Sequence, residues 1–110
     1  MCTSIVEIAV ADGMGKGADG WFPVTHAVVA YDHARHAIAG DVITLDLFNA
    51  GLPPSSRVAA ELTLETAKLL RAALDRAIAA ADEEEAERAE SIERMRERIV
   101  VPEVAPRAAA

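Results

Sequence analysis

The chain is short of cysteine, of aromatic residues and of positive charge, and each shortage removes a class of protein. Cys2 is the only cysteine among 110 residues, so no internal disulfide forms and a disulfide-stapled scaffold is excluded. A reducing cytoplasm is the expected compartment. Aromatic residues make up 4% of the chain, so a core must be thin and built on Val, Ile and Leu. Eleven Lys and Arg stand against eighteen Asp and Glu, for a net charge of −7. That balance argues against nucleic acid, whose phosphate backbone selects basic patches, and against anionic membrane surfaces. No apolar run approaches the length needed to cross a bilayer, and no secretory pattern precedes the first apolar segment. Protein partners and metal cations remain.

What is present is a hydrophobic fraction of 52%, rich in Ala, in a chain long enough for one domain. Ser4 to Val10 alternates with β-branched residues and reads as a strand. Ala11 to Gly20 carries four glycines and reads as a loop or hairpin connection. Its spacing matches neither the dinucleotide fingerprint nor the phosphate-binding loop, so turn chemistry is the preferred reading over anion binding through Lys16. Trp21 and Phe22 are adjacent and point to opposite sides of an extended chain, which makes one core and the other a surface contact. Val24 to Tyr31 reads as a second strand, Asp41 to Asn49 as a third and Arg57 to Leu62 as a fourth. In the third, Ile43, Leu45 and Leu47 share one face, while Val42, Thr44, Asp46 and Phe48 share the other.

Thr63 is placed to cap a long helix, with Glu65 favourable beside its N-terminus. Leu64, Ala67, Leu70, Leu74, Ala77, Ile78 and Ala81 recur at helical spacing as one apolar stripe. Beyond it the chain turns acidic: nine of the eighteen acidic residues fall in the last 29 positions. Ile92, Met95 and Ile99 then restore an apolar face. The fold class is α+β: a small antiparallel sheet of about four strands packed on a long C-terminal helix. The expected organisation is a domain over 1–81, a charged helical extension over 82–101 and a disordered tail over 102–110.

The chemistry concentrates between His26 and Asp46, which holds all three histidines. His33 and His36 are three apart and flank a bend, so one helical turn faces both toward one point. Neutral imidazole suits Zn, Ni, Cu or Fe, and a carboxylate completes such a set while leaving a position open for water or substrate. Asp41 is the best-placed carboxylate; His26 joins only if the bend folds over it. No standard zinc spacing is present, and isolated histidines more often serve as structural or solvent-facing groups. Cys2 offers a thiol beside the amine that removal of the initiator exposes, either as an additional metal ligand or as a nucleophile. A buried or edge-strand thiol is its plainer role.

The opening MCTSI, the segment KGADGWFP (Lys16 to Pro23), and YDHARHA (Tyr31 to Ala37) ahead of a strand ending in LDLFN resemble a small uncharacterised bacterial protein family. The resemblance covers roughly residues 1–80 and rests in part on the DHxxHA pattern. It implies a shared domain whose distinctive residues are Cys2, Trp21, His33 and His36, with a further histidine common in relatives near the position of Asp41. It implies no activity.

Two functions follow as expectations. One is a small soluble metal-binding protein using His33 and His36 with His26, Asp41 or Cys2. The other is an accessory subunit that oligomerises, or binds a protein partner, through its sheet face and through Ile92, Met95 and Ile99.

Overall fold

The structure, a computed structural model, describes residues 3–37 and 40–99. It is an α+β fold with four strands followed by one long helix. Strands β1 (Thr3–Gly17), β2 (Gly20–His33), β3 (Asp41–Phe48) and β4 (Arg57–Leu62) pair antiparallel in chain order, and α1 spans Leu64–Arg98. The chain divides into two units, Met1–Leu70, which holds the sheet and the first turns of α1, and Arg71–Ala110, which holds the rest of the helix.

The strand alternation read from the sequence sets the register. His26, Val28, Ala30 and Asp32 of β2 stand opposite Phe48, Asp46, Thr44 and Val42 of β3, which puts those eight residues on one face. On the other face Ile43, Leu45 and Leu47 stand opposite Leu62, Ala60 and Val58 of β4. The buried core is small, as the shortage of aromatics predicts: Phe22, Val24, Ala30 and Val42 are its members among the described residues. Phe22 is 6% exposed and Trp21 is 67% exposed, so the adjacent pair divides into one core ring and one surface ring.

The glycine-rich stretch departs from the expected loop. Most of it is strand, because β1 continues to Gly17 and the turn is confined to Ala18 and Asp19, closed by the Gly17–Gly20 pair. Gly20 takes a φ of 110°, a region that favours glycine. A register shift between Val10 and Gly13 marks a bulge that lets the strand resume beyond Asp12. Gly15 is there for a packing reason. A Cβ at that position would meet Val24 Cγ2 at 3.1 Å, Phe22 Cζ at 3.2 Å and Val58 Cγ2 at 3.4 Å. The absent side chain is what admits those three neighbours.

Thr63 caps the helix as expected. Its Oγ1 accepts the Thr66 amide at 3.1 Å, and its carbonyl accepts the Ala67 amide at 2.9 Å. Glu65 in the first turn and Arg96 and Arg98 in the last complement the helix dipole. No residue of α1 is buried, and its 35 residues carry a single i,i+4 ion pair among those described, Arg94 with Glu90 at 3.8 Å. An exposed pair of that kind adds little. No described helix is long and apolar enough to cross a membrane. Cys2, and the tail proposed for 102–110, lie outside the described residues.

Two glycines of β1 give a direct test of the packing argument. Gly15→Val should destabilise the fold by about 1–3 kcal/mol through overpacking. Gly13→Ala, where an added Cβ meets nothing within 4 Å, should be near neutral. Thermal melts of both variants check this; equal melting temperatures would show that the contacts around Gly15 yield without cost.

Candidate functional site

The end of the β2–β3 hairpin carries the candidate chemistry. Antiparallel pairing sets His33 opposite Asp41 and Tyr31 opposite Ile43, so Tyr31, His33 and Asp41 share one face. The Asp41 carboxylate is used at both oxygens: Oδ1 lies 2.6 Å from His33 Nδ1, and Oδ2 accepts the Tyr31 hydroxyl at 3.3 Å. The negative charge of Asp41 pushes the Tyr31 phenol above its ordinary value, because ionising it would set two anions side by side. A carboxylate only accepts, so its bond to His33 requires the proton on Nδ1 and leaves Nε2 as the lone-pair nitrogen of the neutral ring.

Beyond His33 the chain makes a bend held by one residue from the far strand. Glu61, the fifth residue of β4, reaches the bend across β3. Its Oε2 accepts the Arg35 amide at 2.9 Å, and its Oε1 accepts the amides of His36 at 2.7 Å and Ala37 at 2.9 Å. The loop is also closed by the Ala34 amide on the Gly40 carbonyl at 3.1 Å. These amide bonds, led by that of Arg35 and then that of Ala37, lower the Glu61 pKa from 4.5 to about 2. The His36 Nδ1 lies 3.6 Å from Glu61 Oε1. That is too long for a hydrogen bond but close enough for charge attraction when the ring is protonated.

A cleft of about 320 Å³ opens between bend and sheet, and Asp32, His33, His36, Asp46, Arg57 and Glu61 are among its lining residues. Asp46 and Arg57 face each other across β3 and β4, with Arg57 Nη2 at 3.0 Å and Nε at 3.2 Å from Asp46 Oδ1.

The structure thus brings His33 and Asp41 together and sets His33 and His36 on one cleft, each with Nδ1 toward its own carboxylate. His26 is occupied at the other end of β3: its ring stacks on Phe48 with centroids 5.5 Å apart, and its Nδ1 lies 2.8 Å from Thr25 Oγ1. Among the described residues no group of three or more His, Cys, Asp or Glu side chains is arranged to hold a metal ion. Ile92, Met95 and Ile99 lie exposed on the helix and the residue that follows it. Sequence reasoning missed Glu61. Its only signal was a charged residue in the short fourth strand, which reads equally well as a solvated position.

The depressed Glu61 pKa fixes the sign of a pH effect. The folded value lies below the ordinary one, so the carboxylate's stabilisation is complete above pH 4.5 and is lost as pH falls toward about 2. Glu61→Gln should remove that part of the acid sensitivity, with its melting temperature falling less than that of the wild type over this window. Parallel melting curves for the two proteins would show that the bend does not depend on the charge.

No curated protein and no solved structure matches the chain. Residues 1–87 match a family of unknown function (DUF6295). The match takes in the whole sheet, the histidine bend and Glu61, so the candidate site lies entirely within the shared region. The chain belongs to this family of unknown function.

Proposed function

We propose that the protein is a small soluble metal-binding protein whose ligands are the Nε2 atoms of His33 and His36. The observation that carries this reading is the 2.6 Å contact between His33 Nδ1 and Asp41. Metal-ligating histidines usually give their second ring nitrogen to a carboxylate or carbonyl, which fixes the tautomer and raises the basicity of the ligating atom. His36 Nδ1 lies 3.6 Å from Glu61 Oε1, beyond hydrogen-bonding range, so Glu61 holds this residue through its backbone amide and not through its ring. The geometry therefore favours Asp41 as the group that orients a ligand over Asp41 as a ligand itself. Two imidazoles suit Zn, Ni, Cu or Fe, with water or Cys2 as further donors and a position left for an exchangeable molecule. His26, at the far end of the β2–β3 ladder opposite Phe48, is out of reach of this site. This reading assigns no reaction. The shortage of cysteine leads us to place the protein in the cytoplasm.

Metal analysis of the purified protein tests this. One of the four metals should co-purify, and the double variant His33→Ala/His36→Ala should lose it. Asp41→Asn should keep the ligands but weaken affinity about 10–100-fold. Full metal content in the double variant, or no thermal shift of the metal-free protein with any of the four ions, would end this reading.

A second reading, an accessory subunit that takes a partner through its helix, is favoured by the bare end of α1. Ile92, Met95 and Ile99 are 48%, 56% and 64% exposed and stand at spacings of three and four, the seam pattern of paired helices. Burying each is worth on the order of 1.5–3 kcal/mol before association entropy is subtracted. Ile92→Glu with Ile99→Glu should shift a helix-mediated oligomer toward monomer while leaving the sheet's melting unchanged. Sedimentation of both proteins decides it, and identical profiles would remove this seam as an interface.

A further inference from the structure

The outer edge of β1 carries no strand among the described residues, because β1 is the first strand of a four-stranded open order and pairs only with β2. Such an edge offers a row of unpaired amides and carbonyls, and folded chains ordinarily blunt it with lysine, proline or a bulge. Between Ile5 and Val10 there is none of these. Register shifts occur before Ile5 and after Val10, so this window is the regular part of the strand. The second half of β1 is different: there Gly17 lies close to the backbone of Ser55 and Arg57.

Side chains of the free window are apolar and uncovered. Ile5 is 54% exposed, Val6 51%, Ile8 67% and Val10 87%. Val6, Ile8 and Val10 stand on one face, beside Ala30, Val28 and His26 of β2. Among the described residues this β-branched edge is uncovered, with Glu7 as its single charge, and it is open to another strand.

We infer that the occupant is β1 of a second copy, added antiparallel about a twofold axis through Ile8, to make one continuous eight-stranded sheet. The register follows from the residues. A twofold antiparallel pair sets one residue opposite its own copy. Centring on Glu7 would set two carboxylates face to face, which is unfavourable. Centring on Ile8 sets Ile8 opposite Ile8, Val6 opposite Val10 and the uncharged Ala9 opposite Glu7. Six β-branched side chains then line one face of the joint, the type of cross-strand pair that stabilises sheets. Four exposed side chains per copy, at roughly 100 Å² of apolar surface each, together with the backbone edge between them, set an upper limit of about 1,000 Å² for the pair, the lower end of what a specific interface needs. The charge does not oppose it, since Glu7 is the only charged residue of the window.

The joint predicts a dimer with a defined geometry. Wild-type protein should sediment as a dimer at micromolar concentration, and Ile8→Lys should lose that dimer. In a Cys2→Ser background, Ile8→Cys should oxidise to a disulfide-linked dimer, because opposed residues lie about 4.5–5.5 Å apart at Cα, within the reach of a disulfide. Ile5→Cys should not, since each copy sets Ile5 opposite Ala11. Adding Ile92→Glu/Ile99→Glu should leave the Ile8→Cys cross-link unchanged. The cross-link keeps the test decisive if Ile8→Lys does not fold. A monomeric wild type, including one that pairs only with another protein's strand, overturns the inference. So does a dimer that survives Ile8→Lys, or one in which Ile5→Cys cross-links as readily as Ile8→Cys.

Discussion

Three consecutive backbone amides, those of Arg35, His36 and Ala37, converge on the carboxylate of Glu61, and the histidine-bearing bend depends on that convergence. A carboxylate has lone pairs enough for all three donors, and hydrogen bonds to an ionised acceptor are the strong ones. The contact ties the β2–β3 connection to β4, two strands away, and so makes the far strand part of the site. Without it, the bend would have three amides to satisfy and, among the described residues, the Ala34–Gly40 backbone bond to hold its ends.

The two histidines that line the cleft are held by different means. His33 is the last residue of β2 and inherits its position from the strand pairing that places it opposite Asp41. His36 is three residues on, outside any strand, and its backbone is held through Glu61. A site built from one strand residue and one bend residue keeps the first fixed while allowing the second to adjust. His26 lies in the same strand as His33 but serves the packing, stacked on Phe48 across the ladder. Three histidines in one short segment therefore divide into one that packs and two that line the cleft.

Much of the fold was legible in the sequence because it rests on alternation. Ile43, Leu45 and Leu47 against Val42, Thr44, Asp46 and Phe48 gave the two faces of β3 correctly, and the fourth strand was read from Arg57 to Leu62, where it lies. Thr63 announced the helix because capping is a local event. The glycine-rich half of β1 was read as loop, because glycine's local preference for turns conceals a packing demand set by Phe22, Val24 and Val58. Pairing of His33 with Asp41 followed from the hairpin and was within reach of sequence reasoning. Glu61 was not, since its partners lie 24 to 26 residues away and are backbone groups, which carry no sequence signature of their own.

That separation has a consequence for the order in which the protein takes shape. Each strand of the meander meets its sequence neighbour, and such pairings close short loops with little entropic loss. The bend emerges early in the chain, but its amides find their acceptor only when β4 has joined β3. A nascent or partly unfolded chain lacking the fourth strand can hold the His33–Asp41 pair and yet leave His36 unanchored. The cleft is therefore completed by the last strand of the sheet, and its presence marks a chain whose sheet is complete.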